Sequence, residues 1–170
     1  MSKAALLRRY HLVLGLFIIG LILSGLTAFP LLHELRLMAS WLGIQHHAEY
    51  ASHGGLSFWI GYVWHGLEVT QAQFPFVAYG TDWLAFGHIM IAVFFIAGPW
   101  RDPLPNAWVL KVGLFACAAV APLALICGAV RCIPLYWRLV DCSFGLFGAL
   151  PLLYCLHLVR QMSAGTSRNS

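Results

Sequence analysis

The chain has 170 residues, of which 61% are hydrophobic and only 9% charged, with 10 Lys+Arg against 6 Asp+Glu. Ordinary soluble domains carry about 25% charged residues, and sixteen charges cannot coat a water-facing globule of this length, so a soluble enzyme, a nucleic-acid-binding domain and a disordered chain are all excluded. The small positive excess bears on membrane orientation rather than on a polyanionic partner, and the length suits one membrane domain over 1–170.

A membrane helix needs roughly 20 mostly apolar residues, and four segments meet that requirement. The first runs over about 10–29 and stops at Pro30. Its apolar run is too long for a signal peptide, so it reads as a retained helix. The stretch 30–82 that follows is too long for a plain linker. Within it a short helix is expected over Glu34–Leu42, with Leu35, Met38 and Leu42 on one side. Further on, Leu56, Trp59, Ile60, Val63, Trp64 and Leu67 recur at the spacing of one helical face, while Ser57, Gly61, His65 and Glu68 fall mainly elsewhere. This predicts an amphipathic helix lying on the outer leaflet or capping the bundle. The loop is either a structural cap, a docking surface for a larger redox or membrane complex, or a lid over a quinone site.

The second span covers about 83–98 and stops at Pro99-Trp100-Arg101. Asp82 suits the first turn of that helix, where acids complement the positive end of the helix dipole, and Thr81 is an equal candidate for its cap. The third span covers about 108–130 and the fourth about 136–159, with Pro122 and Pro151 inside them. Such prolines are tolerated in membrane helices and mark kinks. The tail 163–170 is polar and expected to be disordered. Lys3, Arg8, Arg9, Arg101, Lys111, Arg160 and Arg168 fall on one side of these spans, and Arg36, Arg131 and Arg138 on the other. By the positive-inside rule both termini are cytoplasmic, and the chain is a multi-pass protein of the cytoplasmic (inner) membrane, in contact with membrane lipid. The fold class expected is all-α: a four-helix transmembrane bundle with an amphipathic helical outer loop.

Ionisable residues inside a span are costly and point to function. His88 lies about six residues into the second span, so roughly 9 Å below the outer surface at the rise of a helix. His11 begins the first span and His157 ends the fourth at the same, cytoplasmic end. Two histidines on neighbouring helices can grip a haem iron from both faces. The bland reading makes them headgroup contacts or, for His157, a cation at a helix C-terminus. His88 without a haem would hydrogen-bond a neighbouring helix.

Arg9-Tyr10-His11, followed by Ser24-Gly25, resembles the first helix of the membrane b-type cytochromes that anchor hydrogenases and formate dehydrogenases. Phe86–Phe94 around His88 is similar to that family's second helix, and Leu153–Arg160 around His157 to the end of its fourth. The resemblance touches three of the four spans. It implies a b-type cytochrome subunit that passes electrons between the quinone pool and a partner redox protein. His11 and His157 would ligate a cytoplasmic-side haem b, and His88 an outer one. The family's second ligand to the outer haem falls here on Ser143, so the protein holds one haem, or a loop histidine, His33 or His65, stands in. The long outer loop is also not typical of the family.

Other groups carry weaker signals. On a helix His46, Glu49 and His53 would share a face, and imidazole with carboxylate suits zinc, copper or iron; a solvated loop is the competing reading. Arg138 and Asp141, one turn apart, read first as a self-neutralising ion pair. The functional alternatives are an arginine on a haem propionate, and Asp141 as a proton acceptor beside a quinone. Cys132 and Cys142 both lie near the outer face, where a disulfide is an option. Gly15, Gly20, Gly25, Gly145 and Gly148 let helices, or a planar cofactor, approach closely. Two further functions stand beside the cytochrome: a haem-free structural or assembly subunit, and a quinone- or lipid-binding membrane protein.

Overall fold

The computed structural model describes residues 3–167, and the side chains of residues up to 164. Arg168, counted above among the basic residues, and the last residues of the expected tail lie outside that range. Among the described residues, six α-helices account for most of the chain: α1 (Lys3–Ala28), α2 (Leu31–Trp41), α3 (Gly55–Gln73), α4 (Tyr79–Phe95), α5 (Ala107–Val130) and α6 (Leu135–Ser167). Short 3-10 segments cover His47–Ser52 and Pro75–Ala78, and a π-turn at Ile96–Trp100 extends α4. Among the described residues there is no strand. Among the described residues four helices are long and apolar enough to cross a membrane: α1, Pro75–Trp100, α5 and Leu135–Ala164.

The chain forms two compact units. The first comprises residues 1–20 and 92–170. In it α5 and α6 form a hairpin, and α1 presents Leu6, Tyr10, Leu14 and Ile18, four residues apart, as a buried stripe. That spacing keeps one face of a helix in register. Leu110, Leu152, Cys155, Val159 and Met162 complete this core. Leu12, Leu16, Phe115, Phe144 and Phe147 point outward and are more than 60% exposed, which inverts the water-soluble pattern.

The second unit comprises residues 21–91. Pro30 has no backbone N–H to continue α1, and its carbonyl instead accepts the Glu34 N–H to open α2. Leu35 and Ala39 of α2 and Ile60, Gly61 and Trp64 of α3 are buried. The buried face of α3 is therefore rotated from the expected one: Leu56 is exposed and Gly61 is in the core. The reason is Tyr50. A Cβ at position 61 would lie 2.8 Å from the Tyr50 Cβ, so only glycine lets the 3-10 segment settle on α3. Met38 and Leu42 are likewise exposed, and Ile44 fills the place expected of them.

Two further expectations change, and one option is not taken up. Residues 163–167 continue α6 as helix. Arg138 and Asp141 form no ion pair: among the described residues the one salt bridge joins Arg36 to Glu68. The Arg138 Nη1 donates to the Leu125 carbonyl at 3.1 Å. That bond offers the guanidinium a backbone acceptor on the facing helix. Cys132 and Cys142 are free thiols.

Candidate functional site

In the first unit α1 caps the end of the α4 segment. The last carbonyls of a helix lack partners inside it. Here the Tyr10 hydroxyl donates to the Pro99 carbonyl at 2.9 Å, and the His11 Nε2 lies 2.9 Å from the Trp100 carbonyl. A carbonyl only accepts, so His11 must carry its proton on Nε2. The Trp100 ring packs edge-on against the same imidazole. His157 is exposed on α6, with its Nε2 2.9 Å from the Gln161 amide nitrogen. The Cys155 thiol approaches the Tyr10 carbonyl at 3.9 Å, which brings neighbours of both histidines together. Their rings nonetheless turn to different partners. As arranged, these two residues do not fit a haem held between two imidazoles.

In the second unit His88 donates through Nδ1 to the Leu84 carbonyl at 2.8 Å. This fixes its tautomer and leaves Nε2 as a lone pair, the arrangement of many metal-ligating imidazoles. Its Cβ side lies close to Gly25, where an added methyl would fall 2.9 Å from the Ala85 carbonyl. Gly25 thus serves contact between α1 and α4. His65 instead pairs with His47, Nδ1 to Nδ1, at 2.8 Å. His33 is part of a cavity. Among the described residues no contact joins any two of His33, His65 and His88. Ser143, the position of the missing ligand, donates to the Val140 carbonyl of its own helix.

The residues His46, Glu49 and His53 organise the 3-10 segment rather than an ion site. The His46 N–H donates to the Glu49 carboxylate, and the His53 Nδ1 turns back to the Glu49 carbonyl. Among the described residues, no group of three or more His, Cys, Asp or Glu is placed to hold a metal ion.

The cavity that contains His33 encloses about 370 Å3 where the end of α1, α2, α3 and the start of α4 meet. Phe29 and Leu67 supply apolar wall; His33, Arg36, Thr81 and Asp82 supply polar groups. Small-molecule sites have this size and this mixture. The sequence explains the placement. Pro30 turns the chain just past Phe29, which sets His33 and Arg36 one turn apart on α2. Asp82 sits in the first turn of α4, as expected for an acid at a helix start. Among the described residues neither the His33 ring nor the Asp82 carboxylate has a hydrogen-bond or ion-pair partner. An adjoining apolar groove shares Phe29 and Asp82 with the cavity and is otherwise lined by Tyr79, Trp83 and Phe86.

Arg36 links the cavity to α3. Its Nη2 lies 3.3 Å from the Glu68 carboxylate, which also accepts the Trp64 indole N–H at 3.0 Å. Partial burial alone would raise the Glu68 carboxyl. The bonds from Trp64 and Arg36, with the positive charge of Arg36 and His47, outweigh it and hold the group below the ordinary carboxylate value. Sequence reading placed His33 among the candidates but missed Asp82, Arg36 and Thr81 as its neighbours. The signal for Asp82, an unpaired acid at the start of an apolar span, was present. No family model, no curated protein and no solved structure matches the chain.

Proposed function

We propose that this chain is a multi-pass membrane protein that binds a quinone at its outer interface, within an electron-transfer complex, with α1, α4, α5 and α6 crossing the bilayer. The observation that carries the reading is the pairing of a cavity lined in part by polar groups with an apolar aromatic groove at the level where α1 ends and α4 begins. A quinone has the same two parts, an oxygen-bearing ring and an isoprenoid tail. Its carbonyls accept hydrogen bonds, which His33 and Arg36 can donate, whereas the Thr81 hydroxyl already donates its one proton to the Ala78 carbonyl. Its reduced form donates from hydroxyls, which the Asp82 carboxylate can accept; when a partner redox protein of the complex takes the quinol's two electrons, the two protons released can pass to the unpaired carboxylate and imidazole. An anionic phospholipid is a poorer match, because Asp82 places a negative charge in the same cavity. The aromatic residues Tyr79 and Trp83 suit the headgroup level of a membrane.

The test is a titration of the purified protein with a short-chain quinone analogue, followed by tryptophan fluorescence. Saturable one-to-one binding is expected, weakened at least about tenfold in Asp82→Asn and in His33→Ala, the cost of one or two charge-assisted hydrogen bonds. No saturable binding, or binding unchanged in both variants, refutes the reading. Bound phosphatidylethanolamine that the analogue does not displace assigns the cavity to a zwitterionic lipid instead.

A second reading, a b-type cytochrome subunit, is favoured by one observation: the free Nε2 of His88 with Nδ1 anchored on a carbonyl. On that reading His88 ligates haem b, and His11 and His157 must leave their present partners to do so. A dithionite-reduced minus oxidised spectrum decides it. A b-type band lost in His88→Ala supports the reading, and a colourless, folded protein removes it.

A further inference from the structure

The His47–His65 contact plays no part in the cavity, yet it is the closest approach of two titratable rings described here. The Nδ1 atoms lie 2.8 Å apart, with the rings 24° from parallel and their centroids 5.1 Å apart. Both rings are half-buried. Trp64 packs edge-on against His47 at 5.7 Å, and Tyr50 lies against His65 at 5.1 Å. The contact joins two elements: His47 opens the 3-10 segment, and His65 lies mid-way along α3.

Two nitrogens at this distance require one N–H and one lone pair between them. Two neutral rings satisfy that, and so does one neutral ring with one imidazolium. Two imidazolium rings do not: both Nδ1 atoms would carry hydrogens, and two positive charges would face each other. The pair therefore tolerates one added proton and is broken by a second.

We propose that His47 and His65 form a pH-sensitive latch, which holds the 3-10 segment on α3 while they share a single lone pair and releases it when both rings are protonated. The charges around it are few. The 3-10 segment and its caps contribute Glu49, Tyr50, His46 and His53, of which His46, Glu49 and His53 are engaged within their own turn. On α3 the groups are Tyr62 and Glu68. On α2 the groups are Arg36, already paired with Glu68, His33, which lines the cavity, and Glu34 in the first turn; the segment Pro75–Ala78 has no titratable side chain. Glu68 accepts its hydrogen bonds from Arg36 and Trp64; its charge reaches His47, but no bond from it replaces the shared Nδ1 contact. The remaining hold on the segment is the Tyr50 ring against Phe58 and Tyr62 and its fit over Gly61. The latch stands whether or not the cavity takes a quinone.

The test is hydrogen exchange on the full-length protein in detergent, read on peptides covering residues 44–54 and corrected for the intrinsic pH dependence of exchange. Between about pH 8 and about pH 5, which brackets the ordinary imidazole range, protection of this segment is expected to fall at least about tenfold, one hydrogen bond's worth. Peptides from α5 should not change. In the His47→Asn/His65→Asn double variant the amides keep a neutral hydrogen bond and do not titrate, so the drop should disappear. Equal protection of the native segment at both pH values overturns the latch, as does a drop that persists in the double variant. Protection at about pH 8 that a chelator abolishes overturns it too, by assigning the two nitrogens to a metal ion. If the double variant fails to fold, imidazole 15N titration of the native protein decides. Coupled titration of the two rings is expected, and independent titration refutes the proposal.

Discussion

Alanine at position 61 should destabilise the second unit, while alanine at position 66 of the same helix should stabilise it. Both replacements remove a helical glycine, which gains roughly 0.5–1 kcal/mol of helix propensity. At Gly66 nothing lies within 4 Å of an added Cβ, so that gain stands alone. At Gly61 the Cβ would fall 2.8 Å from the Tyr50 Cβ, 3.2 Å from the Ile44 Cδ1 and 3.3 Å from the Tyr50 Cα. The Ile44 methyl can swing away, but the Tyr50 atoms belong to the backbone end of the residue. The whole 3-10 segment must move, and the Tyr50 ring loses its fit against Phe58, Tyr62 and His65. Overpacking of this kind costs about 1–3 kcal/mol, which exceeds the propensity gain. The net expectation is a loss of about 1 kcal/mol for Gly61→Ala and a gain of about 0.5–1 kcal/mol for Gly66→Ala. In thermal unfolding followed by tryptophan fluorescence, this corresponds to Tm shifts of opposite sign, about 2–4 °C per kcal/mol for a chain of this length. Two variants that both raise Tm by the same amount would refute the claim that Tyr50 packs on α3 at Gly61.

Tyr10→Phe leaves the Pro99 carbonyl without its donor in a fully buried place and should cost about 1–3 kcal/mol, measured by the same melt. His11→Gln keeps an Nε2 donor for the Trp100 carbonyl and should stay close to the native Tm, whereas His11→Ala should lower it. If His11 instead ligates haem, both variants lose the b-type absorption together. Glu68 titrates below its unfolded value, so the unfolded chain binds more protons between the two values. Its contribution is present above the unfolded pKa and is lost as pH falls through the folded one, a step below the imidazole range. Removing the guanidinium in Arg36→Met should move this loss to higher pH, visible in a carboxyl 13C titration. The stability cost should be small, about 0.2–1 kcal/mol, because both side chains are partly in solvent.

The helices were legible because apolar runs bounded by proline leave few alternatives. Pro30 ends α1, Asp82 sits in the first turn of α4, and α5 begins and ends within a residue of its expected limits. The faces were less legible. Hydrophobic spacing favoured Leu56 on α3, yet contact with Tyr50, eleven residues before Gly61, turned the helix so that a glycine became core. Nothing in the periodicity of α3 encodes that approach. Arg138 illustrates the same limit. Sequence distance offered Asp141 as its partner, but a long side chain can equally reach the facing helix, and it takes the Leu125 carbonyl. The α6 end was underestimated because Ser163, Ala164 and Gly165 read as a tail, while the Ser163 hydroxyl bonds back to the Val159 carbonyl inside the helix. The cavity depended on tertiary structure altogether. His33, Leu67 and Asp82 come from three separate helices, and only their meeting makes a site.

The most direct test of the central claim is to photolyse an azido-quinone analogue bound to the purified protein in lipid nanodiscs and map the labelled residues by mass spectrometry. The account predicts labelling concentrated on Phe29 and on Tyr79–Phe86, suppressed by excess unlabelled quinone and reduced in Asp82→Asn. Labelling spread evenly over α5 and α6, or insensitive to competitor, would contradict it.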